Sequence, residues 1–258
     1  MRIRYEQGSS LLHRLNPLTK LIALIAYSVS IFLVNSLEAE ASIFIVMLLL
    51  MVSLKSRALL SLVTSKYFVL FAALIVAVQA VFTKGGEAIL SVPLIFFSIE
   101  VTTGGVYSGL VIALRFLTVI MGSALFIFTT DPNELAYALM RAGLPYRFGF
   151  MLVTAIRFMP VFEEEASTVR DAQAARGLEV DRAGLNGLFK TARYTLMPLI
   201  VSALSKVDAL VISIEGRAFG RMRHRTFTRA ARFSLADTLI SLASIFALGA
   251  LVLCHLVL

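Results

Sequence analysis

Two arginines set among small residues stand out for the chemistry they could do. One lies in Ala174-Ala175-Arg176-Gly177, the other in Glu215-Gly216-Arg217-Ala218-Phe219-Gly220, 41 residues further on. A guanidinium offers five donors in a planar fork and forms a bidentate pair with a carboxylate. Ala175, Gly177, Gly216 and Ala218 would let a second protein's backbone come close enough for that pair to form. The plain alternative is an arginine held by the partial negative charge of a helix C-terminus, a frequent arrangement. Either way this is binding chemistry. Catalytic candidates are lacking: no Gly-x-x-x-x-Gly-Lys-Ser/Thr phosphate loop occurs. His13, His224 and His255 lie on different segments, and Cys254 is the one cysteine, so no metal-ligand spacing exists. Glu163, Glu164 and Glu165 fan over about 200° of a helix, which reads as a solvated face rather than an acid–base cluster.

The elements that would carry the arginines are long helices. Pro145 is suited to a first turn and Gly177 to a helix end, which predicts a helix from about Pro145 to Arg176. It is apolar from Phe148 to Phe162, interrupted by Pro160, which is expected to kink it, and polar from Glu163 onward. From Leu185 the apolar positions 185, 188, 189, 192, 196, 199, 203, 207, 210 and 214 advance in steps of three and four apart from the adjacent pair 188 and 189, giving one stripe over about eight turns. Lys190, Arg193, Lys206 and Asp208 fall off that stripe. A shorter helix is expected from the Asp131-Pro132 pair, an aspartate cap followed by a proline at the first helical position. These stripes are too long for loops and too charged to span a bilayer. They read as two or three amphipathic helices that either fold back on a membrane bundle or offer a docking platform for a soluble partner.

Composition identifies the rest as membrane-embedded. Of 258 residues 59% are hydrophobic and 16% charged, with a mean hydropathy of +0.87, against roughly half and a quarter for a soluble domain. That excludes a disordered chain, an ordinary nucleic-acid-binding domain and most soluble enzymes. Apolar runs predict about five transmembrane helices: Leu21 to Val34 (extending to Leu37), Ala41 to Leu54, Tyr67 to Phe82, Gly105 to Phe128 with Arg115 inside it, and Leu235 to Leu258 interrupted by Asp237 near its start. Ile89 to Val101, between glycine pairs, reads as a hairpin or re-entrant loop. The formal charge is +8, and loop charges alternate: +3 over 1–20, −2 over 35–40, +2 at Lys55 and Arg57, −1 over 83–104. An alternation in step with the spans puts the N-terminus in the cytoplasm and, after five spans, the C-terminus outside. No cleavable signal sequence is read at the start. The fold expected is an all-α membrane protein: a membrane bundle over 1–130, a cytoplasmic helical region over 131–233 with a net +5, and a last span over 234–258. Arg115, inside the fourth span, is costly in lipid and should pair with protein or reach the interface. The basic stretch Arg217 to Arg232 reads as an anchor against anionic lipid, with partner docking as the alternative.

Three stretches carry a resemblance over nearly the whole chain. They are Gly8-Ser9-Ser10 to Leu21 with its Asn16-Pro17-Leu18-Thr19-Lys20 core; Thr129-Thr130-Asp131-Pro132 with Arg157-Phe158-Met159-Pro160 and Glu164-Glu165-Ala166; and the paired arginine motifs. Together they resemble the transmembrane T component of energy-coupling factor (ECF) transporters, the vitamin- and metal-ion-uptake branch of the ATP-binding cassette (ABC) transporters. The resemblance implies a non-enzymatic subunit in the plasma membrane of a prokaryote, with no cofactor of its own, ATP being bound by partner ATPases. Its partners would be two ABC ATPase subunits, a substrate-binding membrane S component and the lipid bilayer, not nucleic acid. It also implies coupling helices that cross and end in grooves of the two ATPases, with Ala175-Arg176-Gly177 and Gly216-Arg217-Ala218 as the gripping residues. The second departs from the family's Ala-Arg-Gly order, which bears on the backbone after Arg217. Asn16 and Leu18 replace the usual aspartate and arginine. Phe148, Met151, Phe158, Met159, Phe162, Phe189 and Met197 would either serve different S components as an adaptable surface or form the contact between the two helices. Outside the resemblance, the competing readings are a self-sufficient secondary transporter, which would need more mid-span charge than Arg115, and a conventional ABC permease.

Overall fold

The computed structural model describes residues 10–54, 57–83, 85–93, 98–177, 185–220 and 234–257. The chain is all-α apart from one hairpin, and it divides into two compact units, 1–138 with 231–258, and 139–230.

The first unit holds α1 (Leu11–Arg14), α2 (Pro17–Leu33), α3 (Leu37–Ser53), α4 (Arg57–Val63), α5 (Lys66–Phe82), the antiparallel strands β1 (Ala88–Pro93) and β2 (Ser98–Thr102), α6 (Thr103–Thr129) and α10 (Leu235–Val257). The four earlier runs therefore appear as α2, α3, α5 and α6, the last as α10, and the glycine-bounded stretch is a hairpin. The short helix α4 is absent from the sequence reading. Its seven residues are too few to set up a helical period. The second helix starts earlier than the uncharged run, because Glu38 and Glu40 lie in its first turn, where carboxylates suit the N-terminal dipole.

The centre of this unit is α6, which packs on α2, α3, α4 and α5. Glycines set its approach to α5: a Cβ at Gly109 would lie 3.1 Å from the Val76 backbone, and one at Gly105 would lie 3.0 Å from the Ala80 carbonyl. The Gly105-x-x-x-Gly109 spacing places both on one face, the small-residue contact by which helices pack closely in lipid. On another face Met121, Ala124 and Phe128 form a buried cluster with Met51 of α3 and Leu59 of α4. Arg115, near the middle of α6, donates through Nε to Glu40 Oε1 at 3.0 Å, and through Nη2 to the Val34 carbonyl and to Asn35 Oδ1 at 3.1 Å. It pairs with protein, as a charge within a span must.

The second unit contains the end of α7 (Pro132–Arg141), α8 (Tyr146–Ala175) and α9 (Leu185–Gly216). The cap before α7 is as the sequence implies, with Asn133 N donating to Asp131 Oδ1 at 2.8 Å. Proline 145 sits at the cap of α8 rather than inside its first turn, and the helix runs through Pro160. Among the described residues three helical stretches are long and apolar enough to cross a membrane: Thr103–Thr129, Leu235–Leu253 and Arg193–Gly216. The chain is an all-α membrane protein. The third of those stretches belongs to the stripe judged too charged to span; the middle of α9 is more apolar around its circumference than one stripe suggests.

Candidate coupling site

The two long helices, about 45 Å each at 1.5 Å per residue, pack antiparallel in contact at three levels. Phe219, just past α9, packs at a tilt against Tyr146 and Phe150 at the start of α8, with ring centroids 5.7 and 4.5 Å apart. Midway, Glu165 accepts from Ser202 Oγ at 2.8 Å and from the Lys206 ammonium. Near the far end Gln173 Nε2 donates to the Tyr194 carbonyl at 3.4 Å. Arg176 ends α8 and Arg217 ends α9, so antiparallel packing puts the arginines at opposite ends of the pair.

The local geometry of the two arginines is the same. In α8, Arg176 N donates to the Gln173 carbonyl at 3.1 Å and Gly177 N to Ala174 at 2.9 Å; Gly177 has φ +79°. In α9, Arg217 N donates to Ile214 at 3.2 Å, Ala218 N to Glu215 at 2.9 Å, and Phe219 N closes the longer ring to Ile214 at 3.1 Å. That last pair of bonds defines the Schellman closure, in which the residue after the cap turns left-handed. The residue there is Ala218, with φ +52°. Reordering the small residues therefore leaves the backbone path intact: each arginine is the cap residue, and each is followed by a left-handed one. A Cβ makes that conformation unfavourable by roughly 1–2 kcal/mol.

Both arginines are exposed, and neither side chain bonds to another described residue. Gly216 is helical, and nothing lies within 4 Å of where its Cβ would be. Among the described residues no neighbour calls for a glycine there, although glycine costs about 1 kcal/mol against alanine inside a helix. The open space is on the outside, where a second chain could lie. Ala174 and Ala175 are exposed as well.

Sequence reasoning missed two features here. The first is Glu165. Its neighbours Glu163 and Glu164 are exposed as the solvated-face reading requires, but Glu165 turns onto α9, where the hydrogen bonds from Lys206 and then Ser202 hold its carboxyl below the ordinary carboxylate value. Lys206 correspondingly sits half-buried at the contact of the two helices; Ser202 and Lys206, four apart, share one face of α9, but nothing in the sequence says which of the three glutamates meets them. The second is the Phe219 clamp, whose only cue is an aromatic residue just past a glycine-rich helix end. Of the seven aromatic and methionine residues weighed above, Phe148, Met151, Met159, Phe189 and Met197 are exposed; Phe158 and Phe162 are half-buried, their rings 5.8 Å apart. Most of them are therefore not the helix–helix contact. The basic residues Arg221, Arg223, Arg225, Arg229 and Arg232, with His224, lie outside the described residues, as do Gly8, Ser9 and Lys55.

A family model described as a cobalt transport protein, CbiQ, matches residues 8–228. Curated relatives are similar along almost the whole chain. The energy-coupling factor transporter transmembrane protein EcfT of Listeria innocua is 31% identical over 250 residues, 93% of each chain. Its namesake from Streptococcus equi is 30% identical, covering 92% of this chain and 89% of its own. The Streptococcus thermophilus protein of that name is 31% identical, covering 95% and 94%.

Proposed function

Because the chain belongs to the CbiQ family of transport proteins, which are transmembrane transporter components and not enzymes, we propose that it is the coupling subunit of an energy-coupling factor importer. In this reading two ABC ATPase subunits bind the ends of α8 and α9, and an S component that carries a vitamin or a metal ion docks on the membrane side. The observation that carries it is the pair of exposed arginines, bonded to no side chain among the described residues, at opposite ends of one antiparallel helix pair, each followed by a left-handed residue.

The physics of a lever suits that arrangement. A stiff rod transmits displacement only if it is gripped at its ends and does not bend between them. Three separate contacts along α8 and α9 supply the stiffness. Arg176 and Arg217 supply the grips, each able to form a charge-assisted bidentate pair with an acidic residue, with Ala175, Gly177, Gly216 and Ala218 letting the partner's backbone approach. Two arginines about a helix length apart fit two separate subunits better than one. Residues 131–233 form the cytoplasmic region in this account, between a bundle over 1–130 and the last span over 234–258, with the N-terminus cytoplasmic. Lys206 and Asp208 argue for keeping α9 out of the bilayer, since a charge at a span centre costs about 2.5–3.5 kcal/mol on insertion scales. The outward face of α9, including Met197, Ile200, Val201 and Leu204, is exposed apolar surface, the kind of surface that a partner covers, and it is offered to the S component. No ATP binds this chain in the mechanism; it converts the ATPases' closure into movement of the bundle.

The test is copurification of the tagged chain with its ATPase subunits in mild detergent. Wild type should retain two ATPase subunits. Arg176→Ala and Arg217→Ala should each weaken retention about tenfold or more, the scale of a lost charge-assisted hydrogen bond, and the double variant should lose it. A wild-type chain that purifies alone and still transports in liposomes would make a secondary transporter the better account.

A further inference from the structure

The opening Asn16-Pro17-Leu18-Thr19-Lys20 has no place in the mechanism so far, yet it lies at the most polar buried point of the first unit. Asn16 caps α2 by accepting from Leu18 N at 3.0 Å. Its own backbone N–H donates to Asp237 Oδ1 at 2.8 Å, while Ser234 N donates to Asp237 Oδ2 at 2.8 Å. Ser234 precedes α10, and Asp237 is the third residue of that helix, the position from which a capping-box side chain reaches back. One buried carboxylate thus holds the first turns of both α2 and α10. One turn further along α2, Lys20 Nζ donates to the carbonyl of Thr129, the last residue of α6, at 2.7 Å.

Chain connectivity gives these bonds their meaning. Thr129 ends the helix from which the chain leaves for α7 and the arginine-bearing helices. Asp237 lies where the chain returns. The first turn of α2 therefore grips both ends by which the bundle is attached to residues 139–230. The node is not built for stability alone: Asn16 Nδ2, Thr19 Oγ1 and Thr130 Oγ1 are buried with no hydrogen-bond partner among the described residues. Unpaired buried polar atoms cost stability, and apolar side chains of the same shape would avoid the cost.

We propose that this node is the joint through which displacement of the coupling helices enters the membrane bundle, with Asp237 and Lys20 as positioning residues that make α2, α6 and α10 move together. The proposal rests on the coupling-subunit reading. An ordinary pair of helix caps would support stability and nothing more; a joint is needed for movement to pass through.

The experiment uses the complex of this chain with its ATPase subunits in lipid nanodiscs, with Cys254→Ser and one fluorescent label in the bundle (Ile25→Cys on α2) or one in the coupling segment (Ile212→Cys on α9); both positions are exposed. On adding ATP, both labels should respond in the otherwise wild-type complex. In Asp237→Asn and in Lys20→Met the α9 label should still respond, while the α2 response falls about tenfold, as expected when a hydrogen bond to a charged group is removed. A response at Ile25 that persists in both variants overturns the proposal, as does a fall at both labels in parallel with a lower unfolding temperature. Lys20→Met leaves both helix caps in place and carries the test if Asp237→Asn does not accumulate; failure of both to fold assigns the node to stability and overturns the proposal. An α9 label that responds with a silent α2 label in the wild-type background also overturns it. If no ATPase subunits are retained by the wild-type chain, the coupling reading itself fails, before any variant is made.

Discussion

At the scale of single residues, Ala218 shows how a site can keep its geometry while changing its sequence. Its left-handed φ of +52° is the conformation that Gly177 adopts without strain after Arg176. Ala218→Gly should therefore raise the unfolding temperature of the chain and stabilise it by about 1 kcal/mol, while ATPase retention stays at the wild-type level. A thermal unfolding series in detergent checks this, and a fall in stability would contradict the assigned cap. The same pair marks what was legible beforehand. Arg176-Gly177 announces its helix end because glycine is the usual residue after a cap. Gly216-Arg217-Ala218 does not, since alanine is a helix former, and only the closure by Phe219 N onto the Ile214 carbonyl forces it into the left-handed region. Glu165 was illegible for a different reason. Three consecutive glutamates look equivalent in sequence, and only the position of α9 selects the one that bonds Ser202 and Lys206.

At the scale of elements, the helix boundaries follow from charge and caps, but the pairing of helices does not. The Gly105-x-x-x-Gly109 face fixes the approach of α5 to α6, and Arg115 fixes α3 and the α2–α3 link against α6. Glu40 is fully buried and faces Arg115 across 3.0 Å. Removing one partner leaves the other charge buried, which costs about 3–5 kcal/mol. Arg115→Met should thus sharply lower stability in detergent, and Glu40→Gln added to it should recover a large part of the loss. Thermal midpoints of the two single variants and the double variant check this; a double variant no more stable than Arg115→Met would show that the arginine acts through Val34 and Asn35 instead. The sequence marked Arg115 as needing a partner, because charge in a span is costly, but it gave no means of choosing Glu40. That carboxylate lies 75 positions away and reads as the edge of a loop until the helix is seen to begin at Leu37.

At the scale of the whole molecule, two long helices before the last one were legible from the apolar periodicity and the end signals over 145–216, and α8 and α9 are those helices. The same reading did not bring out how much apolar surface α9 leaves exposed, with Met197, Ile200, Val201 and Leu204 among it. An exposed apolar face is wasteful in an isolated chain and ordinary in a subunit of a larger assembly. The central claim is that the antiparallel pair is held at its two ends by two different ATPase subunits. It is tested most directly by cross-linking. In the assembled complex with Cys254→Ser, a single cysteine replaces Ala172 or Ser213, exposed positions one helical turn before Arg176 and Arg217, so that both arginines stay in place, and a short bifunctional reagent is added. The account predicts that each position cross-links to an ATPase subunit, and that a chain carrying both cysteines joins two ATPase subunits in one product. Cross-links from both positions to one and the same ATPase subunit, or to none, would contradict it.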